Sequence, residues 1–304
     1  MYEIEHPDQV MIDEVFSFLI QCDLADFGEP DTSREDLEQE WNEFDHSQDA
    51  WIARDAAGEL FGYAYVSDVS EGCHMDVYID PTRSQLGLED ELVGLCIQRA
   101  AERTAGRNYP AGPFLIGYAT ATHKRLQEMY ENAGFSRHTY HYRMQIDLSK
   151  PVEAVEWPAE YSLRAYQPED EMELYTMIQR AFNWQGHVDA PLDLWRNLVF
   201  RGGRFDPQCF ILVRHAGELV AAALSYDEEG SGWIRQLAVR QDHQGKGFGG
   251  RLLRHMFHLF QQRGAVSVAL GVAAVNETAV QFYERNGMQR RREFIEYRKK
   301  YKDI

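Results

Sequence analysis

Slid along itself, the chain matches at an offset of about 160 residues, and a repeat of that length decides the architecture before any single motif does. In the first copy Trp51-Ile52-Ala53-Arg54 leads into Ala57-Gly58-Glu59-Leu60, and in the second Phe210-Ile211-Leu212-Val213 leads into Ala216-Gly217-Glu218-Leu219. Each stretch reads as strand, tight turn, strand. A further strand follows in each copy, Met75 to Ile79 and Trp233 to Val239. Next comes a helix with apolar residues at helical spacing: Leu88, Leu92, Leu95 and Cys96 in one copy, Leu252, Leu253, Met256 and Leu259 in the other. Buried strands are expected at Phe114 to Tyr118 and Val266 to Leu270. The last matched block sets Tyr130-Glu131-Asn132-Ala133-Gly134-Phe135 against Tyr283-Glu284-Arg285-Asn286-Gly287-Met288. The offset has shrunk there, which a Pro/Gly loop from Gly106 to Pro113 in the first copy accounts for; such loops cost little.

A chain of 304 residues suits two units of about 150 residues each. The stretch Leu148 to Tyr161, with Pro151 and Pro158, reads as a semi-rigid connection. The boundary is therefore expected near residue 155, giving units 1–154 and 155–304. The fold class is α+β: two tandem domains, each a mixed, largely antiparallel sheet flanked by helices.

With 44% hydrophobic and 26% charged residues the composition is that of an ordinary globular protein. A net charge of −18 argues against nucleic acid or an anionic membrane as partner, because phosphates are bound by clustered Lys and Arg. It suits a cationic acceptor such as an amine, and equally a solvated acidic surface. Cys22, Cys73, Cys96 and Cys209 lie far apart, so neither a metal site nor a disulfide framework is expected. The start, MYEIEHPDQV, lacks the pattern of a signal peptide, and no apolar run is long enough to span a bilayer; the expected location is the cytoplasm.

The strongest chemical signal is Gln244-Gly245-Lys246-Gly247-Phe248-Gly249-Gly250, between the strand ending at Val239 and a helix expected from about Gly249. A helix N-terminus offers unpaired N–H groups and the positive end of its dipole, and glycines let a phosphate approach that backbone. An anion site is expected here, with Lys246 adding positive charge; the plain alternative is a sharp turn. The stretch satisfies GxGxxG literally, yet the strand through Leu270 continues into Gly271-Val272-Ala273-Ala274 without the acidic residue of a dinucleotide site. A P-loop fails too, since Gly247 stands where Ser or Thr should follow Lys246.

These residues resemble the GNAT superfamily of acetyl-CoA-dependent N-acetyltransferases. Its motif Gln/Arg-x-x-Gly-x-Gly/Ala is matched by Gln244, Gly247 and Gly249, and Asn276 through Met288 is similar to its Asn-x-x-Ala-x-x-x-Tyr-x-x-x-Gly-Phe block, with Ala279 and Tyr283 in register. The resemblance implies acetyl-CoA as acyl donor, no metal, and a primary amine of a small molecule or peptide as acceptor. It implies further that Leu237, Ala238 and Val239 face the pantetheine arm, that the amides of Gly245 to Gly250, Phe248 included, hold the pyrophosphate, and that Asn276 contacts the donor or its linker. Tyr283 would protonate the departing thiolate; otherwise it is a packing residue beside Phe282. Several members carry a glutamate where this chain has Arg235 and Gln236, so no base is named, although Asp227, Glu228 or Glu229 could take the proton. Trp184, Trp195, Tyr226 and the stretch Phe182 to Asp193 fall where acceptor loops lie.

In the first copy Ser84-Gln85-Leu86-Gly87-Leu88-Glu89 aligns with Gln244 through Gly249, and only Gly87 survives. Glu89 and Asp90 suit a helix dipole and repel a pyrophosphate. This copy is expected not to bind acetyl-CoA productively, with Tyr130 as core, and to serve as support or as a wall for the acceptor. Two other readings stand beside the enzyme: a non-catalytic acyl-CoA-binding sensor or structural module, and a nicotinamide-dependent oxidoreductase.

Overall fold

The computed structural model describes residues 2–301 apart from 70, 81, 84–86, 108, 110–111, 183–190, 201–204 and 229. In chain order the elements are β1 (Tyr2–Glu5), α1 (Ile12–Phe27), α2 (Arg34–Glu43), α3 (His46–Asp49), β2 (Ala50–Asp55), β3 (Leu60–Val69), β4 (Gly72–Ile79), α4 (Leu88–Thr104), β5 (Phe114–Thr120) and α5 (Lys124–Asn132). They continue as β6 (Ser136–Asp147), β7 (Tyr161–Ala165), α6 (Glu171–Phe182), α7 (Leu192–Val199), β8 (Phe210–His215), β9 (Glu218–Glu228), β10 (Ser231–Val239), α8 (Phe248–Gln262), β11 (Ser267–Ala273), α9 (Glu277–Arg285) and β12 (Gln289–Lys300).

The repeat is visible in both sheets. In one, β1 to β4 form an antiparallel run, β4 pairs with β5 in parallel and β5 with β12 antiparallel. In the other, β7 to β10 form the antiparallel run, β10 pairs with β11 in parallel and β11 with β6 antiparallel. Each copy is thus a mixed, largely antiparallel sheet with flanking helices.

The compact units are Met1–Tyr140 with Glu293–Ile304, and His141–Arg292. This differs from a division at 155, and the reason lies in the last strand of each sheet. After α5 the chain supplies β6, whose residues 141–147 pair with β11 from Ala273↔His141 to Ser267↔Asp147. After α9 it supplies β12, which pairs with β5 from Phe294↔Thr120 to Lys300↔Phe114. Each sheet is closed by the strand that follows the other copy. A pattern of apolar residues marks such a strand but not its destination, because both sheets offer the same kind of edge.

The start of the semi-rigid segment Leu148 to Tyr161 is tied to α8. The Gln261 side chain donates to the carbonyls of Leu148 and Lys150 at 2.7 Å each and accepts from Val152 N–H at 2.7 Å. His258 Nδ1 lies 2.7 Å from the Val152 carbonyl oxygen. Two residues one helical turn apart on α8 therefore hold this segment along the helix, and it belongs to the second unit.

Each sheet buries both faces. In the second unit α8 covers Val213, Ala221, Ala223, Ile234 and Val268 with Leu252, Leu253, Met256, Phe257 and Phe260. The other face, under α6 and α7, carries Phe210, Leu212, Leu224, Tyr226 and Ala238 against Leu174, Ile178 and Trp195. In the first unit α4 packs Leu88, Leu92 and Cys96 on one face, and α1 and α2 pack Phe18, Leu19 and Trp41 on the other. Each such aliphatic side chain contributes about 1.5–3 kcal/mol by leaving water.

Candidate active site

β10 and β11 pair in parallel only at Ser231↔Ser267, Gly232↔Val268 and Trp233↔Ala269. Beyond Trp233 β10 stays with β9, and a bulge between Ile234 and Gln236 shifts its register. The backbone from Gln236 to Val239 is therefore laddered on one edge and open toward β11 on the other. Buried backbone groups require partners, so this edge is a natural place for an extended polar ligand. Leu237 and Val239 turn to the α8 side and Ala238 to the opposite side.

At the head of α8, Gly247 is the N-cap residue with φ +85°, and Gly245 has φ +72°. A Cβ at either would meet nothing within 4 Å: these glycines are required by the left-handed backbone, and the space beside them is open. The first turn of α8 contains no acidic residue, and Lys246 is exposed at its mouth. The helix starts at Phe248 rather than Gly249.

The other two glycines are explained by packing. A Cβ on Gly249 would lie 3.3 Å from the Phe282 ring, and one on Gly250 would lie 3.0 Å from Asn286 Oδ1; both allow the head of α8 to touch α9. Phe248 points into the core, with its ring 4.4 Å from that of Tyr161 and 6.2 Å from that of Trp157, so only its amide is available to a ligand. The Gln244 side chain donates to the Val239 carbonyl at 2.9 Å. His243, buried beneath the turn, packs against Phe248, His215 and Tyr161. No periodic signal marks this group, because it is assembled from β7, β8, α8 and the turn that precedes α8.

Asn276 is the N-cap of α9 and accepts from Ala279 N–H at 3.2 Å through Oδ1. Two turns on, Tyr283 is half-buried and stands edge-on to Phe282 at 5.2 Å. Burial pushes its hydroxyl up to about 12.

Of the acids near the β9–β10 turn, Asp227 is paired with Arg263 at 2.6 Å, Glu228 is engaged as well, and Glu229 lies outside the described residues. Trp195 and Tyr226 are core residues, with the Tyr226 hydroxyl donating to the Val199 carbonyl at 2.9 Å. Trp184 and residues 183–190 are likewise not described. One group escaped the sequence reading: Gln236 Oε1 is buried without a hydrogen-bond partner, on the strand beside the parted edge. A lone Gln in a strand carries no signal of this kind.

The first unit repeats the parting of strands, since β4 and β5 pair only from Gly72↔Phe114 to Met75↔Gly117. Gly87 caps α4 with φ +97°, yet Glu89, Asp90 and Glu91 fill the first turn. Glu89 forms an ion pair with Arg125 inside a cavity of about 460 Å³ that Val77, Ile79, His123 and Met129 also line. Ser84, Gln85 and Leu86 are not described. Tyr130 is fully buried, stacked on Tyr297 at 5.2 Å, and its ring would lie 2.6 Å from a Cβ on Gly117. It is a core residue.

The parting of a parallel strand pair beside a glycine turn at a helix head is the arrangement that the resemblance to GNAT acetyltransferases implies. Residues 171–288 match the profile of the Acetyltransferase (GNAT) family, and the chain carries a GNAT N-acetyltransferase domain within a tandem GNAT-like architecture. It is similar to a mycothiol acetyltransferase of Saccharopolyspora erythraea, 26% identical over 254 residues that cover 77% of this chain and 80% of that protein. Among solved structures it is similar to a GCN5-related N-acetyltransferase from Sphaerobacter thermophilus, with a TM-score of 0.85 and 26% identity over 98% of this chain and 95% of that one. The fold is shared as well with a tandem GNAT protein from the clavulanic acid biosynthesis pathway, with a TM-score of 0.75 and 14% identity over 99% and 98%.

Proposed function

We propose that the second unit transfers the acetyl group of acetyl-CoA directly to a primary amine of a small-molecule acceptor. The observation that carries this reading is the open edge of β10 beyond Trp233, next to a helix head with two left-handed glycines and no acid. When bound, acetyl-CoA supplies the thioester whose carbonyl carbon exchanges sulfur for nitrogen.

The amides of Gly245 to Gly250 would hold the pyrophosphate at the positive end of α8, with Lys246 beside it. Leu237 and Val239 would present backbone N–H and C=O groups along the open edge to the pantetheine amides and the thioester carbonyl, with Ala238 between them bonded to Ala222 of β9. Asn276 spends its Oδ1 on Ala279, which leaves its amide nitrogen for the donor. Tyr283, which keeps its proton at neutral pH and, raised by burial, well above it, gives that proton to the leaving sulfur. The N–C bond forms as the C–S bond breaks, and the proton shed by nitrogen restores the Tyr283 hydroxyl through water. The first unit, with three acids in its helix head, does not hold acetyl-CoA productively.

The test is calorimetric titration with acetyl-CoA alongside a Gly247→Glu variant, followed by thiol release with a panel of primary amines. The panel includes the acceptor of mycothiol acetyltransferase, given that likeness. One site per chain, lost in the variant, and amine-dependent thiol release support the reading. Absence of binding overturns it, and binding without turnover on any amine favours an acyl-CoA sensor.

A further inference from the structure

In the first unit the ladder between β4 and β5 ends at Met75↔Gly117, although β4 runs on to Ile79. The other edge of β4 fixes what its last residues do. Tyr78 stands opposite Tyr63 and Ile79 opposite Gly62, and Asp80 N–H donates to the Phe61 carbonyl at 2.9 Å. Hydrogen-bonded and non-bonded pairs alternate along an antiparallel ladder, so Asp80, Tyr78 and Asp76 spend their backbone groups on β3. Val77 and Ile79, lying between them, turn theirs to the edge that β5 has left. The Ile79 carbonyl meets the Cys22 thiol there at 3.9 Å, a weak contact. Across the gap the Thr120 carbonyl of β5 is already taken, by Gln127 Nε2 at 2.8 Å and His123 N–H at 3.2 Å.

This open edge borders the cavity of about 460 Å³, whose walls include Val77 and Ile79 themselves. Its size is that of an ordinary small-ligand pocket. Leu126 and Met129 give it apolar surface. Three carboxylates also line it, and each has a basic partner: Glu89 pairs with Arg125, Asp26 with His123 at 3.3 Å and Asp80 with Arg83 at 3.2 Å. No carboxylate of the lining is thus left to hold a cation, while Glu89, Asp90 and Glu91 in the first turn of α4 turn an anion away. The cavity suits an uncharged ligand that brings its own N–H and C=O groups.

We propose that this cavity of the first unit binds a short, uncharged peptide segment in extended form, added to the open edge of β4 as a further strand, with an aliphatic side chain against Leu126 and Met129. Val77 and Ile79 offer their backbone groups two residues apart, about 6.6 Å along the strand, which is the repeat of a second extended backbone. In such strand addition the main-chain bonds give affinity, and pockets for alternate side chains give specificity. The site is independent of the proposed transfer reaction, because the glycine turn and Tyr283 belong to the other unit.

The experiment titrates the full chain with acetyl-glycyl-leucyl-glycine N-methylamide, reading affinity by calorimetry and the backbone amide resonances of Val77 and Ile79 by NMR. One peptide per chain is expected, with both resonances shifted. The same peptide methylated at every amide nitrogen should bind about tenfold more weakly or worse, because it has no N–H to donate. Ala25→Trp, at an exposed position on the cavity wall, should weaken the parent peptide at least tenfold by filling the space, and Gly247→Glu should leave it unchanged. No binding, equal binding of the methylated peptide, or indifference to Ala25→Trp overturns the proposal. Pantetheine is the competing amide chain, and if it shifts Val77 and Ile79 at lower concentration than the peptide does, the peptide assignment falls. Should Ala25→Trp fail to fold, the wild-type resonances decide alone: shifts at Leu237 and Val239 without shifts at Val77 and Ile79 would place the peptide in the other unit and overturn the assignment.

Discussion

The side-chain amide of Gln244 donates to the carbonyl of Val239 at 2.9 Å, so the first residue of the glycine turn fastens that turn to the end of the open strand. The bond is solvent-exposed and contributes about 0.5–1 kcal/mol at most. Its larger effect is positional. Gln244→Ala is expected to raise KM for acetyl-CoA several-fold with kcat within about twofold, read by steady-state kinetics; an equal fall in kcat and kcat/KM with KM unchanged would mean that the turn matters only in the transition state.

Tyr283→Phe is expected to lower kcat by about 10²-fold or more, the range of a positioned general acid, while acetyl-CoA affinity stays within twofold by calorimetry. Because the hydroxyl is pushed up to about 12, its loss of a proton cannot account for any decline in rate below about pH 10, where free tyrosine is already about half ionised. A kcat profile whose alkaline limb falls near pH 8 in the wild type and disappears in Tyr283→Phe would contradict this.

Asp170 is 2% exposed and meets Arg164 at 2.6 Å through both oxygens and Arg214 at 2.8 Å. Burial raises its ionisation; Arg164, the Gln167 amide and Arg214 outweigh that and hold it below the usual carboxylate value. Its folded value is depressed, so its contribution is present above the unfolded value near pH 4 and disappears as pH falls through the folded one. Asp170→Asn should cost about 3 kcal/mol at pH 7, as for a broken buried ion pair, and less below about pH 4. Urea titrations of both proteins at the two pH values measure the difference.

Gly232 has no room for a side chain, because a Cβ there would sit 2.4 Å from the Phe260 ring. Gly232→Ala is expected to destabilise by about 1–3 kcal/mol through overpacking, with an unchanged denaturant slope. The same change at Gly94, where a Cβ meets nothing in mid-helix, should stabilise by about 0.5–1 kcal/mol.

Much of this was legible in the sequence, and what was not has a physical reason. The hairpins around Ala57-Gly58 and Ala216-Gly217, the two amphipathic helices and the glycine turn are local patterns, and each is where periodicity and turn chemistry place it. The compact units change over after residues 140 and 292 rather than near 155, because strand destination is a long-range property: β6 and β12 look alike to either sheet. The second role of Gly249 and Gly250, close contact with Phe282 and Asn286, was hidden because the motif reads only as a phosphate cradle. Gln261 and His258 resemble ordinary helix-surface residues, and only the fold shows them holding the segment from Leu148 to Val152.

The exchange of closing strands also sets an order of birth. A ribosome releases the N-terminal end first, so β6 is already made when β11 emerges, and the second unit has all its strands at hand once residues 141–292 are out. The first unit lacks its edge beside β5 until β12 follows. The unit begun first is therefore completed only after the other, by β12, and a premature stop codon just before Gln289 would leave the older unit unfinished.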